Sequence, residues 1–132
     1  MAFEYLHCSR KEDYIEEFKL LYSETIFSPE GLIVSFNLKE NNIRHFLCGD
    51  RKTEILKERA GKIKWIGALL RGEEVRLIKV NPKDNTDLYF LSIEKSYVVR
   101  CRIIESGYLS CYTAYPIYPR QKIKMLKWDN FY

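Results

Sequence analysis

The two-residue periodicity that begins after Gly72 constrains the fold more than any other feature of this sequence. Apolar residues alternate with polar ones through four consecutive segments, EEVRLIKVN, DLYFLSIEK, YVVRCRIIE and YLSCYTAY, as is typical of β-strands. The segments are joined by a loop at Asn81–Asp87, a tight turn near Lys95-Ser96 and the dipeptide Ser106-Gly107. Links this short join antiparallel neighbours, because a parallel crossover needs a dozen residues or more. The sequence therefore predicts a four-stranded antiparallel meander over about residues 74–116.

The chain before these strands has mostly the 3.6-residue periodicity of helices. A first helix is predicted from Ser9, a candidate N-cap with Glu12 at the spacing of a capping box. The segment LIVSFNL is predicted to be a short strand, KENNIRHFLCG a short helix, and residues 53–72 a long helix that contains Gly61 and Gly67. Glycine inside a helix is tolerable where another backbone or a ligand comes close.

These elements together predict an α+β fold in which amino-terminal helices pack on one face of the antiparallel sheet. The chain of 132 residues suits a single domain, with a helical part at about 9–72 and a basic, aromatic tail at 117–132. The other face of the sheet is then free to form a concave surface.

Composition and motifs exclude several classes of protein. The apolar runs fall far short of the roughly 18 residues that a membrane span needs, and MAFEYLHCSRKED lacks the pattern of a signal peptide. The sequence therefore predicts a cytoplasmic protein without a membrane partner. It contains no GxGxxG, GxxxxGK[ST], GxSxG or HExxH motif, so we expect no cofactor.

The cysteines are predicted to be reduced and mostly buried. They form no CxxC pair and fit none of the common zinc-site spacings, which argues against a metal site; the four are Cys8, Cys48, Cys101 and Cys111. Cys101 and Cys111 could face each other across a hairpin, but a role as small apolar side chains is the simpler interpretation.

Charge is distributed unevenly along the chain. Residues 1–30 carry three Lys and Arg against seven Asp and Glu, whereas residues 51–71 carry seven against two. Residues 100–128 carry six Lys and Arg against one acid. Two basic segments on one chain suggest a surface that binds a polyanion, with nucleic acid as the first candidate. Solvated lysines on exposed faces explain the same charges equally well.

Alternation places Val98, Arg100 and Arg102 on one face of the third strand of the meander. The last strand presents either Thr113 and Tyr115, or Tyr112 and its neighbours, to that face, depending on a register that the sequence leaves open. Either pairing brings hydroxyl groups near two arginines, which can clamp a phosphate. The alternative is that these are ordinary exposed strand residues.

Two further residues stand out in the helical part. Arg59 occupies an apolar seam between Leu56 and Ile63, so its guanidinium must reach solvent, pair with a buried group or point into a site. His45 lies off the apolar stripe of its short helix and is available as a general acid or base. Histidine, arginines and hydroxyls are the parts of a metal-independent ribonuclease.

The motifs NNIRHFLCGD, RAGKIKWIGALLRGEEV and TAYPI, in this order over roughly residues 36–117, resemble phage-associated nucleases of the barnase, EndoU, colicin and RelE-like fold. The resemblance implies a toxin-like or prophage-associated endoribonuclease that cleaves RNA, tRNA among the candidates, by transesterification without metal. It also implies an antitoxin or immunity protein as a neutralising partner.

The same resemblance implies roles for individual residues. His45, Arg59, Thr113 and Tyr115 match its catalytic positions; Arg100 is carried over mainly on the alternation argument, and Arg102 and Tyr112 are further substrate-binding candidates. Some members use a second histidine, for which His7 is the candidate here. Tyr115, Thr113 or a lysine are the other candidate proton donors.

Two non-catalytic functions remain open at this stage. A basic face with tyrosines would suffice for an RNA-binding module that does not cleave. A protein-interaction module would be served by the aromatic tail, which contains Trp128, Phe131 and Tyr132.

Overall fold

A computed structural model describes residues 3–50 and 54–131 of the chain. The helices are α1 (Lys11–Leu21), α2 (Glu40–Cys48), α3 (Lys57–Ala60), α4 (Ile63–Leu70) and α5 (Pro119–Leu126). The strands are β1 (Ile26–Phe27), β2 (Ile33–Phe36), β3 (Leu77–Asn81), β4 (Asp84–Ser92), β5 (Tyr97–Glu105) and β6 (Tyr108–Pro116). The fold is α+β, as the sequence predicts.

The predicted meander is present as β3 to β6, in which each strand pairs antiparallel with the next. Ser106 and Gly107 form the link between β5 and β6, and Gly107 has a φ of +81°, a conformation that glycine adopts without strain. The predicted Asn81–Asp87 loop is wrong in extent, because β4 already begins at Asp84.

The prediction of a four-stranded antiparallel sheet is wrong: the sheet has six strands in the order β1-β2-β6-β5-β4-β3, and it is mixed. Strand β2 pairs parallel with β6, with Val34 opposite Leu109, and β1 pairs antiparallel with β2. Pairing with β2 is favourable because β6 would otherwise be an edge strand with unpaired backbone groups. The intervening helices and meander supply the long connection that parallel pairing requires.

The predicted helix over residues 53–72 is also wrong as a single element. Its first residue lies outside the described residues, and the remainder forms α3 and α4, separated at Gly61 and Lys62. The N–H of Leu6 donates to the carbonyl of Gly61 at 2.8 Å, so the amino-terminal segment approaches where the helix would continue. A Cβ on Gly61 would lie 2.8 Å from the carbonyl oxygen of Lys57.

The amino-terminal cap differs from the prediction as well. Helix α1 begins at Lys11 with Arg10 as its N-cap, and no side chain caps it, so the proposed capping box of Ser9 and Glu12 is wrong. The presence of Gly67 inside α4 is explained by the close approach of Tyr22. The N–H of Gly67 donates to the hydroxyl of Tyr22 at 3.0 Å, and that hydroxyl donates to the carbonyl of Ile63.

Helices lie on both faces of the sheet, which corrects the prediction of a single helical layer. The main core packs α1, α2 and α4 against the face that carries Leu88, Phe90 and Cys101. Helix α5 covers part of the opposite face, where Met125 packs with a second cluster made of Tyr89, Leu91, Val98 and Ile117.

The tail continues beyond α5 and lies along β3. The N–H of Val80 donates to the carbonyl of Asp129 at 3.0 Å, and the N–H of Phe131 donates to the carbonyl of Ile78 at 2.8 Å. The buried ammonium of Lys79 donates to two carbonyls at the end of α5, those of Leu126 and Trp128. The tail thus covers the β3 edge of the sheet.

An ion pair joins the segment before β2 to the segment before β3. Both oxygens of Glu30 accept from the guanidinium of Arg76, at 2.5 and 2.8 Å, and the side chains are 21% and 7% exposed. The hydrogen bond from Arg76 lowers the pKa of Glu30 to about 2, from an ordinary value of 4.5. A carboxyl whose pKa is lower in the folded state stabilises the fold above the unfolded pKa, and this contribution is lost as the pH falls.

We predict that Glu30→Gln removes an acid-sensitive part of the stability. Wild type should lose up to about 3 kcal/mol of unfolding free energy from this site between pH 4.5 and 2, and the variant should lack that loss. Denaturant titrations across this range measure it, with the exposed Glu24→Gln as the control. Equal acid sensitivity of Glu30→Gln and wild type would contradict the assignment.

Candidate functional site

Six of the seven predicted site residues come from four elements of the chain and line one open cleft of about 450 Å³. The cleft lies between the carboxyl end of α2, helix α3, the amino-terminal half of β5 and the carboxyl-terminal half of β6. Its lining comprises His45, Gly49, Asp50, Arg59, Arg100, Tyr112, Thr113, Tyr115 and Gln121. Every predicted site residue except Arg102 is therefore at the cleft, and Gly49, Asp50 and Gln121 are additions that the sequence did not predict.

Arg59 holds the walls of the cleft together. Its Nε donates to the carbonyl of Phe46 at 3.1 Å, and its Nη2 donates to the carbonyl of His45 at 3.0 Å and to Oγ1 of Thr113 at 3.2 Å. The two carbonyls belong to the last turn of α2, where a cation is stabilised by the helix dipole. The position of Arg59 in an apolar seam is thus explained by its hydrogen bonds to the carboxyl terminus of α2 and to β6.

Gly49 permits this arrangement. A Cβ at this position would lie 3.3 Å from Cζ of Arg59, and the φ of Gly49 is +62°. Burial lowers the pKa of Arg59, although an arginine stays protonated in proteins. The Nη1 of Arg59 makes no hydrogen bond within residues 3–50 and 54–131, and no described carboxylate pairs with this guanidinium.

The second arginine is paired with a carboxylate that the sequence did not indicate. The Nη2 of Arg100 donates to Oδ2 of Asp87 at 2.7 Å, and the hydroxyl of Tyr112 donates to Oδ1 of Asp87, also at 2.7 Å. Asp87 is 2% exposed. Its only signal in the sequence is that it is an acidic residue beside an apolar strand segment.

These contacts decide the protonation of the groups involved. Burial disfavours the charge on Arg100, but hydrogen bonds with Asp87 and Tyr115 outweigh it, so the pKa of Arg100 is raised. Burial, together with the hydrogen bond to Asp87, raises the pKa of Tyr112. Burial likewise raises the pKa of Tyr89, whose ring lies under Arg100 at 4.6 Å, to about 12. Both phenols therefore keep their protons at neutral pH.

The register between β5 and β6 shows which hydroxyl residues of β6 lie near the arginines of β5, a point that the alternation of residues left open. Arg100 lies opposite Thr113 and Val98 lies opposite Tyr115. The register shifts between Arg100 and Cys101, so that Tyr112 falls at a β-bulge. Its ring lies 5.3 Å from the guanidinium of Arg100 and 5.0 Å from that of Arg102. Both proposed sets of hydroxyl residues therefore reach the arginine face. The same register places Cys101 opposite Cys111, and both thiols are free.

The hydroxyl of Tyr115 differs from the other two at the cleft. It accepts a hydrogen bond from Nη1 of Arg100 at 3.3 Å, and its ring lies 5.5 Å from Cζ of Arg59. Its own proton is not donated to any described residue. In contrast, Thr113 is only 2% exposed, and its hydroxyl oxygen accepts a hydrogen bond from Arg59.

His45 lies half-buried on α2, at the boundary between the central cleft and a neighbouring hollow lined by Asn41 and Arg44. Its imidazole makes no hydrogen bond with the part of the chain that the structure describes, so both ring nitrogens are available to a ligand. His7 is elsewhere: it lines a different hollow with Lys57 and Gly61. The two histidines therefore do not share a site.

No group of three or more His, Cys, Asp and Glu residues in the described ranges is arranged to hold a metal ion. Among the same residues, no helix is both long and apolar enough to cross a membrane. No protein-family model, curated protein or solved structure matches the chain. The fold and the site therefore define an α+β protein with an open polar cleft, and its function has to be inferred from that geometry.

We predict that Asp87 and Arg100 are energetically coupled. Asp87→Asn should lower the free energy of unfolding by about 2 kcal/mol, because a partly buried guanidinium loses its charged partner. Arg100→Met in the same chain should cost much less than it does alone, which a double-mutant cycle monitored by urea unfolding would measure. Strictly additive losses would contradict the pairing.

Proposed function

We propose that this protein is a metal-independent endoribonuclease that cleaves RNA by attack of a ribose 2′-hydroxyl on the adjacent phosphate. The observation that carries the proposal is the convergence of His45, Arg59, Arg100, Thr113 and Tyr115 on one open cleft. This reaction needs a base for the 2′-hydroxyl, cations for the phosphorane and a proton donor for the leaving 5′-oxygen. The cleft contains a residue type suited to each task.

Arg59 is the better placed of the two arginines for binding the phosphate. It forms no ion pair with a described carboxylate, and its Nη1 makes no hydrogen bond with the described residues, whereas Arg100 is already paired with Asp87. A phosphate at Arg59 would gain a charge-assisted hydrogen bond in a partly desolvated setting. Arg100 contributes mainly by orienting Tyr115.

His45 and Tyr115 are the proposed pair for proton transfer. His45 is the only histidine at the cleft, and its imidazole is not engaged by described residues. Tyr115 accepts from Arg100 and keeps its own proton to donate. Tyr112 donates its proton to Asp87, and Thr113 is held by Arg59, so we assign them positioning roles. Arg102 is exposed beside Tyr112 and would contact RNA outside the cleft.

The finer part of the proposal rests on the resemblance to nucleases of the barnase, EndoU, colicin and RelE-like fold. On this basis we propose a toxin-like or prophage-associated enzyme that acts on RNA in the cytoplasm, with tRNA as one candidate substrate. We further propose that an antitoxin or immunity protein neutralises the enzyme.

An RNA-binding module without activity is the second candidate, favoured by the ion pair of Arg100 with Asp87 and by the burial of Thr113. The ion pair and the burial keep Arg100 and Thr113 from acting on a substrate, while Arg59 is left to bind phosphate. The protein-interaction function has less support, because Trp128 packs against Tyr89 at 4.9 Å and Phe131 lies along β3. Tyr132 lies outside the described residues.

Incubation of the purified protein with total RNA and tRNA in EDTA tests the proposed function. We expect cuts that leave 2′,3′-cyclic phosphates, and a loss of about 100-fold or more in rate for His45→Ala, since general acid–base catalysis contributes about 10²–10⁴-fold. His7→Ala is the matched control, because His7 is outside the cleft, and it should cleave as wild type does.

Two results would count against the proposal in different ways. Wild-type cleavage rates in a correctly folded His45→Ala protein would overturn the role of His45. Intact RNA at high protein concentration, combined with binding whose log affinity falls with log salt, would select the non-catalytic module.

A further inference from the structure

A second hollow of about 510 Å³ adjoins the central cleft, between α3, the end of β6 and the start of α5. Arg59, Tyr115 and Gln121 line both spaces. Because Arg59 lines both spaces, the group next to a phosphate bound at Arg59 would lie within reach of this hollow. The proposed function leaves the hollow unassigned.

The lining of this hollow differs chemically from that of the cleft. Leu56 and Ile117 contribute apolar surface, and the charged residues of the described lining that are not shared with the cleft, Glu58 and Lys62, are opposite in sign. The ring of Tyr115 forms a wall in common with the cleft. Such a space favours a flat, uncharged group over a second phosphate, because apart from the shared Arg59 the charges of the described lining residues cancel.

Tyr118 supplies an exposed aromatic surface at the hollow. It is 74% exposed although its backbone is fixed between the end of β6 at Pro116 and the first turn of α5 at Pro119. Its N–H donates to Oε1 of Gln121 at 2.9 Å. The amide nitrogen of Gln121 has no partner in residues 3–50 and 54–131, so it remains available as a donor.

We propose that this hollow is a nucleobase subsite, in which the base of the nucleotide next to the phosphate at Arg59 stacks on Tyr118 and accepts a hydrogen bond from Gln121. The inference rests on the proposed function, since it takes RNA to be the molecule that occupies the cleft. Stacking of bases on aromatic side chains tolerates any sequence, because every base has a π-face. The subsite therefore adds affinity for single-stranded RNA with little base preference.

Two uncleavable probes separate base binding from phosphate binding. The first is a fluorescein-labelled 2′-O-methyl oligonucleotide, which lacks the attacking hydroxyl, and the second is an abasic sugar-phosphate chain of the same length. We expect Tyr118→Ala to weaken binding of the first about tenfold and to change binding of the second less than twofold. Tyr118→Phe should restore binding, because it keeps the ring.

Tyr108→Ala is the matched control, since Tyr108 is an exposed tyrosine at the opposite end of β6, and both affinities should stay unchanged. Equal losses on both probes, or no loss on either, would overturn the subsite. Capture of a protein partner at Tyr118 with unchanged RNA binding would overturn it as well. Base-dependent binding without any cleavage would refute the ribonuclease and leave the subsite standing, whereas no binding to either probe would refute both.

Discussion

The hydrogen bonds of Arg59 are the interaction on which the candidate site depends. They join the last turn of α2 to Thr113 on β6, two elements far apart in the sequence. Without this guanidinium, the carbonyls of His45 and Phe46 would lose their side-chain donor, and the last turn of α2 would lose its hydrogen-bonded link to Thr113. The same residue lines the cleft, and its Nη1 makes no hydrogen bond with the described residues. One residue therefore both joins the walls of the site and supplies a positive charge that is not held in an ion pair by a described carboxylate.

The sheet contributes the other wall through an irregularity. A regular β6 would direct Tyr112 and Thr113 to opposite faces, but the register shift beside Arg100 lets both approach the arginines. Asp87, on the neighbouring strand, then fixes Arg100 and Tyr112 in place. Helix α5 limits the open part of this face because it covers Val98 and Tyr89. The cleft is the portion of the second face that α5 leaves free.

Local patterns predicted the elements that local interactions determine. Alternation and short links were enough for β3 to β6, and they placed Arg100 near the hydroxyl residues. Pairing of β2 with β6 was not predictable, since the hydrogen bond of Ser35 to Leu109 joins residues 74 positions apart. The break at Gly61 likewise depends on the distant N–H of Leu6. The role of Asp87 was not predictable, because its partners are determined by register and by a bulge.

The central claim is that RNA phosphate binds at Arg59 in the cleft between α2, α3 and β6. Its most direct test is an NMR titration of the wild-type protein with the uncleavable 2′-O-methyl oligonucleotide, because replacing Arg59 would also remove the hydrogen bonds that join the last turn of α2 to Thr113. The claim predicts that the side-chain N–H signals of Arg59, the ring signals of His45 and the amide signals around Thr113 shift together and saturate at one affinity, while His7 does not respond. Saturable binding that leaves these signals unmoved, or that shifts His7 instead, would contradict it.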